Sequence, residues 1–180
     1  GTVGTLSCDP FPATPDCMPA DEGTNAIGSL RFSPDGTLFV GNGDGASQAF
    51  ADPNALRAQN LDSLSGKILR INDDGSGPTD NPVHDGTNSN RSKVWAYGVR
   101  HPYRFALHPT TNEPWAGDVG WGTWEEVNRV ARGANLGWPY FEGTGRQAQF
   151  NALFTQCSQL STGAVLPPFH VYDHTVGSAV

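Results

Sequence analysis

Two adjacent acids, Glu125 and Glu126, follow a loop with glycines at alternate positions, Gly120-Trp121-Gly122, and an arginine-histidine pair, Arg100-His101, stands earlier in the same stretch. Glycines at that spacing let backbone carbonyls and amides approach a ligand closely, because no Cβ intervenes. The acids open a segment of alternating character, Glu126-Val127-Asn128-Arg129-Val130, whose period of two turns one of them inward. An inward carboxylate requires a cation, a cluster of donors or a metal. The other reading is a solvated strand start, and spacing alone does not separate the two.

The elements around these residues read as short strands and turns. Phe105 to Leu107, a turn at His108-Pro109-Thr110-Thr111-Asn112, and Pro114-Trp115-Ala116-Gly117 form a hairpin that delivers the chain to Asp118 and the glycine loop. An earlier hairpin has the same grammar: Gly28-Ser29-Leu30-Arg31-Phe32, the turn Ser33-Pro34-Asp35-Gly36, and Thr37-Leu38-Phe39-Val40-Gly41. Two like hairpins, each ending in a Gly/Asp loop, are what successive blades of a β-propeller supply. Gly66-Lys67-Ile68-Leu69-Arg70-Ile71-Asn72 reads as a further strand, and Ala46 to Ser65 as a loop with one short helical turn after Asp52-Pro53. Asn72-Asp73-Asp74-Gly75 shares residue types with a calcium loop but lacks the EF-hand spacing, and it reads as a turn. Gln147 to Ser161 suits a short surface helix.

Composition agrees with an all-β chain: 180 residues with 22 Gly and 14 Pro are turn-rich. A net charge of -7 argues against a nucleic-acid or anionic-membrane partner. No run approaches the roughly 20 apolar residues of a membrane-spanning helix. The start at Gly1-Thr2 suits a processed or excised piece. Residues 1–24 read as an N-terminal loop in which Cys8 and Cys17 close a disulfide if the protein is exported, leaving Cys157 without a partner. No cysteine or histidine cluster has zinc spacing.

The blocks Tyr97-Gly98-Val99-Arg100-His101-Pro102, Trp115-Ala116-Gly117-Asp118-Val119-Gly120, Glu126-Val127-Asn128 and Gly133-Ala134-Asn135-Leu136-Gly137-Trp138-Pro139 together resemble the soluble PQQ-dependent sugar dehydrogenases, the glucose/sorbosone dehydrogenase family. Gly28 to Gly36, Gly43-Asp44-Gly45 and Leu64 to Ile71 fit the same order, and Pro167 to His174 resembles the family's lead-in to a next blade. The resemblance implies a six-bladed β-propeller with PQQ and Ca2+ on its axis. At roughly 40 to 50 residues per blade, residues 25–180 would supply about three to four blades, the missing ones coming from the rest of a longer chain. It also implies a small-molecule sugar or alcohol substrate, with secretion or a periplasmic location.

Site residues follow position by position. The family's general base, a His three residues before the Gly of the Gly28 block, falls on Asn25, whose amide cannot accept a proton; if the base sits elsewhere, His101 is the first candidate. Arg100 matches a catalytic and cofactor-binding Arg, and His101 a cofactor-facing position that is usually Asn. Val119 replaces a polar PQQ contact. Gly120 and Trp121 match the pair whose carbonyls hold the catalytic calcium, and Glu125 matches an acidic pocket residue. Glu126 and the Leu136 backbone match a second, structural calcium site. Each has an ordinary alternative: Arg100 pairing with Asp118 or Glu125, His101 filling its loop, and Trp121, Trp124 and Trp138 as core or rim aromatics rather than sugar platforms. Two functions are therefore expected: an aldose-oxidising PQQ enzyme, impaired at Asn25, or a non-catalytic calcium-stabilised propeller that binds carbohydrate or protein.

Overall fold

The computed structural model describes Met18 and residues 23–177, so the Cys8–Cys17 expectation lies outside the described residues. Ten strands among the described residues, β1 (Ile27–Phe32), β2 (Leu38–Asn42), β3 (Lys67–Ile71), β4 (Val94–Tyr97), β5 (Pro102–Leu107), β6 (Pro114–Asp118), β7 (Trp124–Arg129), β8 (Phe141–Glu142), β9 (Gly145–Arg146) and β10 (His170–Asp173), account for most of the regular structure. One short helix, α1 (Ala148–Leu153), joins them. Strands β1-β2-β3-β4 form one antiparallel sheet in chain order, and β10-β7-β6-β5 form a second. The two hairpins legible in the sequence are the β1–β2 and β5–β6 pairs, with Leu30 opposite Val40 and Phe105 opposite Ala116.

Two four-stranded sheets and the β8–β9 hairpin stand among the described residues, rather than the three to four blades that length alone suggests. The difference lies in the connections, since residues 43–66, 72–93 and 130–169 leave the sheets in long excursions held by 3₁₀ turns and side-chain caps. The turn at Asp52 is one: its carboxylate accepts Asn54 N–H at 2.9 Å and Ser47 N–H at 3.0 Å, starting the 3₁₀ segment Pro53–Gln59. The Asn72 to Gly77 segment is a turn as read, closed by Asp74 Oδ1 on the N–H and hydroxyl of Ser76.

The sheets meet through an apolar layer. Phe39, Ile68 and Ala96 from the first pack with Phe105 and Ala116 from the second, and Val99, Val130 and Leu136 complete the cluster. Each of the larger side chains, Phe, Ile, Leu and Val, contributes roughly 1.5–3 kcal/mol when buried. This layer brings the ends of β2, β4, β6 and β7 to one side of the molecule. A second cluster, Trp138, Phe150 and Cys157 with Leu56 and Ala58, anchors the excursions there, which is why the 148–159 segment is not wholly a surface element. Lys67 lies fully buried in the adjoining wall, its ammonium satisfied by the carbonyls of Arg57, Ala58 and Ser65 at 2.9, 3.0 and 2.6 Å.

Candidate functional site

At that end the loop after β2, the β4–β5 connection and the β6–β7 connection converge. Asn25 precedes β1 in the left-handed region, φ 55°, a conformation that Asn tolerates better than most residues. Its backbone carbonyl receives Gly45 N–H, and its amide donates to Asp44 Oδ1 at 3.0 Å. Gly43 lies so close to the Asn25 carbonyl that a Cβ there would overlap it. Asp44 also accepts Ala46 N–H at 3.0 Å and the Trp138 indole N–H at 2.7 Å. Burial pushes its carboxyl above the usual range, and these donors and Arg100 oppose the shift. Asn25 is 1% exposed and its Oδ1 has no hydrogen-bond partner.

Asp118, the last residue of β6, ties the next segment down. Its two oxygens accept the backbone N–H groups of Arg100 at 2.9 Å and His101 at 2.6 Å. The Arg100 guanidinium turns elsewhere: Nη1 donates to the carbonyls of Val119 at 2.9 Å and Gly120 at 2.8 Å, and the group lies over the Trp138 ring. The alternative of Arg100 pairing its charge with Asp118 or Glu125 is not what the structure has: Asp118 takes the Arg100 backbone N–H, and the guanidinium goes to the two carbonyls. The His101 ring packs edge-on against Tyr103, and burial followed by the Arg100 charge lowers its pKa below the usual value.

The β6–β7 loop has a determinant that sequence reading missed. Oε1 of Glu142 accepts the successive backbone N–H groups of Trp121, Gly122, Thr123 and Trp124 at 2.9, 2.8, 3.1 and 3.3 Å. Four aligned amides form a concave anion seat, and the chain fills it with its own carboxylate. Only a glycine fits at 120, because a Cβ there would overlap the Trp124 carbonyl. Trp121 is fixed by its indole N–H on the Gln48 carbonyl at 2.7 Å and by edge contact with Phe150. A lone Glu after an aromatic pair carries no recognisable spacing, so nothing in the sequence flags Glu142.

Both acids of β7 are buried, Glu125 at 1% and Glu126 at 8%, not the single inward one that alternation predicts. The reason is that each face of β7 at that end is closed by its own partner, the Gly120 loop and His174 over Glu125 and the turn at Gly143 over Glu126. Glu125 Oε2 accepts Gly120 N–H at 3.4 Å, and Oε1 lies 3.1 Å from His174 Nε2. Glu126 accepts Gly143 N–H at 2.6 Å and the Asn128 amide at 2.9 Å, while Asn128 Oδ1 has no partner. Burial raises the Glu126 carboxyl, and the neighbouring Asp118 charge raises it further. Leu136 sits in the inter-sheet layer, its N–H on the Tyr97 carbonyl at 2.8 Å. Asn25, Arg100, His101, Val119, Gly120, Trp121 and Glu125 are therefore linked through shared partners, and Glu126 stands one strand position beyond them.

A family model described as Glucose / Sorbosone dehydrogenase matches residues 15–179. Among curated proteins, the uncharacterized protein slr1608 of Synechocystis is 40% identical over 113 residues, covering 61% of this chain and 27% of that protein. Aldose sugar dehydrogenase YliI of Escherichia coli is 34% identical over 117 residues, covering 65% and 29%. The chain thus spans under a third of the length of these curated relatives. The PQQ-bound structure of an aldose sugar dehydrogenase from Streptomyces coelicolor superposes with a TM-score of 0.61 at 26% identity, over 82% of this chain and 36% of that one.

Proposed function

The chain belongs to the glucose/sorbosone dehydrogenase family, and from that premise we propose that it supplies part of a PQQ- and calcium-dependent aldose dehydrogenase in a secreted or periplasmic protein. The observation that carries this reading is the pair of carbonyls, Val119 and Gly120, turned onto the cationic guanidinium of the buried Arg100. Carbonyl oxygens held in that way are the hard donors that Ca2+ takes. An anionic cofactor in this setting requires a cation beside it, because Asp44, Asp118 and Glu125 line the same end of the sheets. Arg100 would meet a cofactor carboxylate, His101 and Val119 would flank it, and Gly120 and Trp121 would offer their carbonyls to the metal. The quinone, when bound, supplies a two-electron acceptor for a sugar C–H. Glu142 contributes by fixing the loop that presents those carbonyls, and Trp121 by closing one side of the site to water.

One observation favours the second reading, a non-catalytic calcium-stabilised propeller: the residue at the base position, Asn25, is buried and bonded to Asp44 as a structural amide. The deciding experiment loads the full-length polypeptide that carries these residues with PQQ and Ca2+. It then measures reduction of an artificial electron acceptor across a panel of aldoses. Turnover above the protein-free rate is expected; PQQ uptake without oxidation of any aldose would support the binding reading instead.

A further inference from the structure

Oxidation of a sugar hydroxyl needs a group that takes the O–H proton, and Asn25 cannot. All five histidines lie among the described residues. His84 and His108 accept N–H groups of their own turns through Nδ1, and His170, opposite Val127 in β10, packs its ring against Tyr172. His101 and His174 stand at the site end. They differ in what surrounds the ring. Burial and Arg100 both oppose a positive charge on His101. His174 places Nε2 3.1 Å from Oε1 of Glu125, a carboxylate whose side chain is 2% exposed, while its own ring is 35% exposed.

We propose that His174, oriented by Glu125, is the proton acceptor of this site; the inference rests on the aldose dehydrogenase reading above. A lone pair on Nε2 would be repelled by the carboxylate it faces, so the neutral ring carries its proton on Nε2 and its lone pair on Nδ1. Nδ1 makes no hydrogen bond to the described residues, and the side chain is 35% exposed. The His174 backbone N–H donates to the Thr123 carbonyl at 3.2 Å, which fixes the residue over the loop that ends at β7. Glu125 joins it to the site: the same carboxylate accepts Gly120 N–H, and the Gly120 carbonyl receives Arg100. The other ionisable groups near the ring are Asp173 beside it and Tyr172, whose hydroxyl is pushed up by burial and then by the Glu125 charge. In the step itself the hydroxyl proton passes to Nδ1, and the C–H leaves with its electron pair to the oxidised quinone already proposed. The C–O single bond becomes a carbonyl. Glu125, 3.1 Å from Nε2, stabilises the imidazolium formed.

Two measurements test this. Long-range proton–nitrogen correlation NMR on the 180-residue chain should find His174 as the Nε2–H tautomer, and an Nδ1–H or freely exchanging ring would overturn the proposal. In the full-length polypeptide loaded with PQQ and Ca2+, His174→Gln should lower kcat by about 10²- to 10⁴-fold. KM and PQQ uptake by absorbance should stay near wild type, as should kcat in the remote control His108→Gln. Activity in His174→Gln within about threefold of wild type overturns this inference alone. A wild-type polypeptide that oxidises no aldose overturns the functional reading and this inference with it.

Discussion

Asn25 Nδ2 donates to Asp44 Oδ1 at 3.0 Å, so the residue at the family's base position works here as a strut under a buried carboxylate. Asp44 is 1% exposed, and each donor it loses leaves more of its charge uncompensated. Asn25→Ala should therefore lower stability by about 1–3 kcal/mol, with part of the loss arising from the left-handed backbone that Ala adopts less readily than Asn. Urea denaturation of the wild type and variant checks it; an unchanged midpoint would show that Asp44 is held by Ala46 and Trp138 alone.

Glu142→Ala removes the acceptor from four consecutive amides. Hydrogen exchange at Trp121 to Trp124 should accelerate by at least tenfold relative to β3 amides, the equivalent of about 1.4 kcal/mol of local opening. Glu142→Gln keeps a carbonyl oxygen at that place and should recover most of the protection. Equal exchange in the two variants would mean that charge, rather than the oxygen itself, holds the loop.

Stability should fall as pH rises from about 4 through about 8, the value to which Glu126 is pushed. The sign follows from proton counting: across that window the folded state holds a proton that the unfolded state has released, so raising pH favours unfolding. Lys67, pushed well below its ordinary value by burial, acts in the opposite sense, so the informative comparison is with Glu126→Gln, in which Lys67 is unchanged. That variant should show a flatter dependence and gain relative stability at pH 8, because Asn128 can turn its unpartnered Oδ1 toward the new amide. Equal slopes in the two proteins would exclude Glu126 as the source.

Calcium binding at Glu126 gives a further expectation. Millimolar Ca2+ should raise the melting temperature of the wild type more than Mg2+ does, since Ca2+ accepts irregular oxygen sets that Mg2+ does not. The increment should vanish in Glu126→Gln. Retention of the full shift in that variant would move the cation to the Gly120 and Trp121 carbonyls.

The sequence by itself determined the β-class, the two hairpins, the β7 strand and the family. These depend on local alternation, on turns such as Ser33 to Gly36 and on motif order, all of which are written along the chain. It also placed Arg100, Gly120 and Glu125 in one segment. What only the tertiary structure decided is where each charge is spent. Arg100 faces carbonyls rather than acids, both acids of β7 are buried because the Gly120 loop, His174 and the Gly143 turn close over them, and Glu142 fills a seat of four amides. His174 meets Glu125 only because β10 returns to pair with β7. Contacts of this kind join residues whose separation along the chain carries no period, and it is burial that gives them their energy. Local pattern therefore had nothing to register until the sheets were packed.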